Sequence, residues 1–193
     1  MRAALFLHLA SSRRSYYVLN VNSAATPFDS DAREGSLRPI IRCKPNEPGR
    51  KELVNAHWGS DPRFGNGIEY RFVRSEGKSF PGFRCLIPAS EFHMKVDRKQ
   101  YRVHLEDGNF FYLAGIWEPA MGDWPLSFRI ITVAANPEVS RYQERHGAII
   151  RRHQVMDWLD RTVPENELLA TPPAHIFLID KLGSEARQPT LAL

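Results

Sequence analysis

The sequence has few cysteines, no long apolar run and none of the common catalytic signatures. Its two cysteines, Cys43 and Cys85, lie far apart without CxxC spacing. This spacing argues against a disulfide framework or a cysteine zinc site, and it favours free thiols in a reducing compartment. GxSxG, P-loop, GxGxxG and HExxH patterns are absent, and the histidines are scattered singly. We therefore predict no metal site and no cofactor.

Membrane segments are also missing from the sequence pattern, and the first 28 residues contain no Asp or Glu. No apolar run approaches the roughly eighteen residues of a membrane span, so we predict no membrane association. The first acidic residue is Asp29. Residues 3–10 form a short apolar run that faintly resembles a targeting segment, but the run is brief and His8 interrupts it. We favour an irregular amino-terminal strand and loop, with targeting as the alternative.

The composition is that of an ordinary globular domain. A chain of 193 residues is long enough to bury one core, and its formal net charge is +4. A mildly basic balance permits a polyanionic partner without requiring one.

Hydrophobic patterns predict mostly strands. Aromatic and β-branched residues mark strands at residues 101–105, 110–117 and 126–134, and Asp107-Gly108-Asn109 forms a hairpin turn between the first two. A longer strand is expected at 83–96, with Pro88 at an edge or bulge. Short helices are expected after Asn136 and at 153–161 and 165–170. The pattern predicts an α+β, mostly β fold with short helices.

Three segments carry a resemblance to a known family. They are R-S-E-G-K-S-F-P-G-F-R-C-L-I-P-A-S-E-F at residues 74–92, A-G-I-W-E at 114–118 and I-I-T-V-A-A-N at 130–136. In that order they resemble the SRAP family, the SOS response-associated peptidases now described as abasic-site processing proteins. The resemblance covers roughly residues 38–160 and implies short helices flanking a central mixed, barrel-like sheet. We expect one domain, with an SRAP-like part at 38–193 and a divergent segment at 1–37.

The resemblance implies chemistry at the amino terminus. Family members begin Met-Cys; after methionine is removed, the cysteine amine and thiol close a thiazolidine on an abasic sugar. Here Arg2 follows Met1, and a bulky second residue normally blocks methionine removal. Without that thiol no thiazolidine forms, although a Met1 amine could still form a reversible imine. A mis-set translation start is the alternative explanation.

A second family motif reads Asn-x-Arg-x-Glu. This chain has Phe72, Arg74 and Glu76 at the three named positions. Arg74 is expected to keep a phosphate contact, and Phe72 to stack on a base or sugar instead of donating a hydrogen bond. The alternative is that Phe72 is a core residue and that Arg74 and Glu76 are ordinary surface charges.

A third motif, R-C-L-x-P-A-x-x-F-x-E, is matched from Arg84 to Phe92. Met94 then stands where the family has its catalytic Glu. Glu91 is expected to point to the opposite side of the strand, because side chains alternate, so it is a poor replacement unless a bulge turns it inward.

The last motif reads His-x-Arg-Met-Pro in much of the family. Gln143 occupies the histidine position, Arg145 matches the arginine and is a candidate phosphate contact, and His146 follows. In a helical segment Gln143 and His146 would share a face, which makes His146 a candidate acid or base; an exposed histidine is the alternative. Trp58, in the matching Trp-Gly pair, is a candidate for base stacking or for the core.

Three hypotheses remain open. The chain is an abasic-site processing protein that binds single-stranded DNA with impaired covalent trapping, a catalytically silent DNA-binding paralogue, or a hydrolase using His146, Glu144 and Ser140. Whether it is an enzyme is therefore left undecided. We expect a cytoplasmic monomer, associated with the nucleoid if the source is bacterial, with single-stranded DNA as its partner.

Overall fold

The computed structural model of the protein describes residues 2–4, 36–47 and 49–182, and for 2–4 it describes the backbone alone. Strands dominate these ranges. They are β1 (Arg2–Ala4), β2 (Leu37–Cys43), β3 (Lys51–Trp58), β4 (Phe72–Arg74), β5 (Arg84–Ala89), β6 (Glu91–Val96), β7 (Lys99–Leu105), β8 (Phe111–Glu118), β9 (Ser127–Ala134), β10 (Arg145–Gly147), β11 (Ile149–Ile150) and β12 (Phe177–Leu182). The α-helices are α1 (Val155–Asp160) and α2 (Glu165–Leu168).

Five strands close into a barrel. The pairings run β9–β3–β2–β5–β8, and β8 pairs back to β9. The β3–β9 and β4–β9 pairs are parallel, whereas the other pairs of this sheet are antiparallel. The predicted α+β, mostly β fold with a mixed, barrel-like centre is confirmed.

A second sheet packs against the barrel. It is antiparallel with the order β1–β6–β7–β12. The predicted strand at 83–96 is divided at Ser90, where the chain leaves the barrel on β5 and enters the second sheet on β6. Pro88 pairs with Tyr112 on one side only, since β2 pairs with β5 no further than Leu86. Proline lacks a backbone donor, so it suits this local edge.

Two apolar clusters make the core. The first lies between the barrel and the second sheet and includes Trp58, Phe92, Met94 and Phe111. The second includes Leu86 and Ile131 and is covered by Trp158 and Leu159 of α1.

The short helices differ from the sequence prediction. The region after Asn136 holds a 3-10 turn at Val139–Arg141, and the predicted helix at 153–161 begins with a second 3-10 turn before α1. In the ranges that the structure describes, none of the helices has the length and apolarity needed to cross a membrane.

Candidate functional site

Two short strands flank the carboxyl-terminal half of β9. Thr132 of β9 pairs with Arg74 of β4 on one side and with Gly147 of β10 on the other. This arrangement brings two distant chain segments, the one around Arg74 and the one around Arg145, to the same part of the sheet.

Arg145 is held at this place by two partners. Its guanidinium donates to Glu76, with Nη1–Oε1 and Nη2–Oε2 distances of 2.9 Å and 2.7 Å. Nε donates to the Thr132 hydroxyl at 3.1 Å, and Nη2 also donates to the Thr132 carbonyl at 2.6 Å. The Arg145 side chain therefore has all three of its nitrogens engaged within the protein.

Glu76 is an exposed carboxylate between two arginines. Hydrogen bonding to Arg145 holds the pKa of Glu76 below its usual value, with smaller contributions from the charges of Arg145 and Arg74. The carboxylate is consequently charged at neutral pH.

Arg74 is the exposed cation of this group. It is exposed at the end of β4, and in residues 36–47 and 49–182 no hydrogen bond or ion pair engages its side chain. An exposed guanidinium of this kind can make two-point contacts with a phosphate or carboxylate.

The chain is similar to a known family and to solved structures. The family model described as SOS response associated peptidase (SRAP) matches residues 34–178, more than half of the chain. The chain belongs to the SRAP family. Membership suggests DNA-damage-related processing of abasic sites at the level of the family. No curated protein matched the sequence.

Solved structures share the SRAP fold. A Bordetella bronchiseptica protein aligns with a TM-score of 0.67 and 22% identity, over 87% of this chain and 92% of its own. A Bacteroides thetaiotaomicron protein aligns with a TM-score of 0.62 and 19% identity, over 78% and 75%. At these identities the likeness concerns the fold alone.

Two positions where the family resemblance implies polar residues are apolar and packed here. Met94 is 1% exposed and belongs to the core cluster between the barrel and the second sheet. Phe72 is half-buried against the same cluster, with its ring edge-on to Trp58 at a centroid distance of 5.6 Å. An ionisable side chain at position 94 would therefore lie among apolar groups, which disfavour its charged form.

Neither Gln143 nor His146 lies on a helix. The helical conformation that would give these two residues a shared face is absent, because Arg145–Gly147 is strand β10. The Gln143 amide donates to the Arg145 carbonyl at 2.6 Å, which orders the approach to β10. The idea that Gln143 and His146 share a helical face is wrong for this segment.

His146 is a core residue. It is 0% exposed and lies between Phe92 and Phe177, with ring centroid distances of 6.1 Å and 5.4 Å. Burial lowers the pKa of His146, so its ring is neutral at neutral pH. The predicted alternatives, an exposed histidine or a catalytic one in the cleft, both require solvent access that this position lacks.

Trp58 is also buried, at 1% exposure. Its indole Nε1 donates to the Arg71 carbonyl at 3.2 Å, and its ring stacks on Phe128 at a centroid distance of 6.4 Å. The geometry favours the core alternative over stacking on a nucleobase, because neither face of the ring is presented to solvent.

Glu91 faces away from the core, as the alternation of side chains predicts. It accepts from His93 Nε2 at 2.8 Å. On the same face Arg102 and His104 contact Asp180 at 2.7 Å and 3.2 Å. Across the described part of the chain, no group of three or more His, Cys, Asp or Glu side chains is arranged to hold a metal ion.

The amino-terminal strand runs beside this face. Arg2 of β1 pairs with His93 of β6, and Ala4 pairs with Glu91. Met1 lies outside the described residues, so its predicted imine chemistry stays a prediction.

Sequence reasoning missed Thr132, whose hydroxyl and carbonyl fix Arg145. Its only signal was its place in the I-I-T-V-A-A-N segment. The strand pairing that places it beside Arg74 and Arg145 is set by long-range contacts.

Proposed function

We propose that the protein binds single-stranded DNA at the site around Arg74, where β4 and β10 flank β9, and that its covalent trapping of abasic sites is impaired. Arg74 carries the proposal, because its guanidinium is exposed and has no partner in the described ranges. Phosphate contacts supply most of the affinity for single strands, and arginine suits them geometrically.

Arg145 has a supporting role in this proposal. Its side-chain nitrogens are all hydrogen-bonded to Glu76 and Thr132. It therefore neutralises Glu76 and fixes the position of that carboxylate beside Arg74. A phosphate would reach Arg145 directly only by displacing Glu76.

Impaired trapping is inferred from the residues at and near the proton-transfer positions. The mechanism that the resemblance implies needs a carboxylate and an imidazole to move protons near the reacting sugar. Position 94 holds a buried Met, position 143 holds Gln, and His146 is sealed in the core. These residues favour a binding protein over an efficient covalent trap.

A hydrolase built on His146, Glu144 and Ser140 has no geometric support. The Ser140 hydroxyl donates to the Pro137 carbonyl at 3.0 Å, and His146 Nδ1 lies 2.8 Å from the Gly147 carbonyl.

The proposal also includes a cytoplasmic location, near the nucleoid in a bacterium, and a monomeric state.

Fluorescence anisotropy with a labelled oligothymidylate tests the DNA-binding proposal. Arg74→Ala should weaken binding severalfold and reduce the salt slope by about one. Lys95→Ala, which removes an exposed charge on the second sheet, is the matched control. Equal effects of the two substitutions would reject Arg74 as the contact.

A further inference from the structure

A second site lies at the opposite end of β9 from Arg145. A pocket of about 320 Å³ is formed between the segment that follows β3 and the turn that joins β8 to β9. Ligand pockets in proteins span about 300–1,000 Å³. This pocket therefore fits one small ring system better than an extended cofactor.

Exposed apolar side chains surround this pocket. Tyr70 is 47% exposed, Phe64 is 73% exposed and Met121 is 52% exposed, and all three line it. Single exposed apolar residues are ordinary, but a group of them around one cavity is typical of a binding surface. Their aromatic rings suit a flat ligand.

Tyr70 is held in position by its neighbours. Its backbone nitrogen donates to the Ser60 hydroxyl at 3.0 Å, and its carbonyl accepts from Ser60 at 2.8 Å. At Gly65 an added Cβ would lie 2.3 Å from the Ile68 carbonyl and 2.9 Å from the Tyr70 ring. A glycine is therefore needed there for the loop to pack against the ring, and the backbone that carries the ring is held by Ser60.

Two N–H groups of the lining side chains have no partner among the described residues. They are Trp124 Nε1 and Arg129 Nε, and both are shielded from solvent. A buried donor without an acceptor is unfavourable. Because both side chains line the pocket, a ligand that offers acceptors along one edge is a candidate partner for these donors.

The charges of the pocket are already paired. Asp61 accepts from Arg63 Nη2 at 2.6 Å, and this pairing lowers the pKa of Asp61. Glu118 accepts from Arg129. Two carboxylates, each neutralised by its own arginine, leave no surplus positive charge for a phosphate, so the lining favours a neutral ligand.

We propose that this pocket binds a neutral aromatic heterocycle with hydrogen-bond acceptors on its edge, the chemistry of a nucleobase. The ring would lie against Tyr70, with its acceptors toward Trp124 and Arg129. The heterocycle belongs either to a free nucleoside or to a base of a bound strand. Tyr70 precedes Arg74 by four residues on one extended segment, roughly 13 Å at strand spacing. Only the strand-borne form rests on the proposed function.

The test uses the indole N–H signals of the 15N-labelled protein, which has four tryptophans. Trp124→Phe assigns the relevant signal by its disappearance. Thymidine and adenosine should shift the Trp124 signal selectively, while deoxyribose 5-phosphate, which lacks a base, should not. Tyr70→Leu should weaken nucleoside binding about tenfold, and Met156→Ala, which alters an exposed apolar residue on α1, should leave it unchanged.

No shift with either nucleoside at millimolar concentration would overturn the proposal, as would an equal shift with deoxyribose 5-phosphate. An oligothymidylate separates this pocket from the DNA site. If thymidine shifts Trp124 but the oligomer does not bind, the pocket stands and the proposed function fails. If the oligomer binds through Arg74 and neither it nor the nucleosides disturb Trp124, the proposed function stands and the pocket assignment fails.

Discussion

Arg145 and Glu76 form a two-point ion pair across 69 positions of sequence, with N–O distances of 2.9 Å and 2.7 Å. The pair places a fixed anion beside Arg74, the cation proposed to contact DNA. Because the Glu76 side chain is 55% exposed, the pair adds little to stability, about 0–1 kcal/mol for a surface pair. Its larger effect is on the local charge that an approaching strand meets.

Replacing Glu76 by Gln should therefore raise the affinity for single-stranded DNA. The substitution removes a negative charge next to Arg74 and opens one side of the Arg145 guanidinium. We expect a severalfold gain at low salt that shrinks as salt is added. Fluorescence anisotropy across a salt series measures the change. Glu106→Gln, at an exposed acid on another surface, is the charge-matched control, and an equal gain there would mean that only net charge matters.

Restoring a carboxylate at position 94 should destabilise the protein. Met94 is 1% exposed in an apolar cluster, so Met94→Glu buries an ionisable group at a cost of about 3 kcal/mol or more at neutral pH. The folded pKa of the new carboxyl would be raised, so its stability deficit should grow as pH rises through that pKa and shrink in acid. Urea denaturation at pH 5 and pH 8 measures this.

Met94→Gln and Met94→Leu serve as the controls for that experiment. Gln should be destabilising without the pH dependence, and Leu should cost less than about 1.5 kcal/mol. A Glu variant as stable as wild type at pH 8 would show that position 94 can reach water.

Local patterns were enough to predict the strands from β5 to β9 and the direction of Glu91. Alternation over a few residues decides which side of a strand faces the core, and β6 follows it, with Phe92 and Met94 inward and Glu91 outward. Closure of the barrel through the β8–β9 pair left no such local signal.

The candidate site was less predictable because its contacts are long-range. The segment around His146 contains no strong strand pattern, yet pairing with β9 makes it a strand and turns His146 into the core. Arg145 matched a motif position, but its engagement by Glu76 and Thr132 depends on three separate segments meeting. Trp58 had two equally reasonable interpretations, and only its burial distinguishes them.

Incubation with DNA containing an abasic site should give no adduct that survives a denaturing gel without reductant. Met94 and Gln143 occupy the proton-transfer positions implied by the family resemblance, and neither can act as an acid or base at neutral pH. An adduct that forms only with borohydride would indicate a reversible imine. Intact mass of the expressed protein, measured in parallel, identifies the amine that is present. A stable adduct without borohydride would contradict the proposed impairment.

His146 should make the protein less stable in mild acid. Burial lowers the pKa of its imidazole below the ordinary value of about 6.5. Below that pH the unfolded chain binds a proton at His146 that the folded chain does not bind. The stability present at higher pH is therefore lost as the pH falls toward the folded pKa, by at most about 1.4 kcal/mol per pH unit. His146→Met, which places there the residue that the family motif implies, removes this titration.

Denaturation of wild type and His146→Met between pH 8 and pH 5 should therefore give curves that diverge below about pH 6.5. Only the difference in slope matters, because a change of packing shifts the variant equally at every pH. His153→Gln, at an exposed histidine, should retain the wild-type slope. Parallel curves for wild type and His146→Met would mean that His146 takes up its proton as readily when folded as when unfolded. Its contacts with Phe92 and Phe177 argue against that, since a charged imidazole there would have lost its water without gaining an acidic partner.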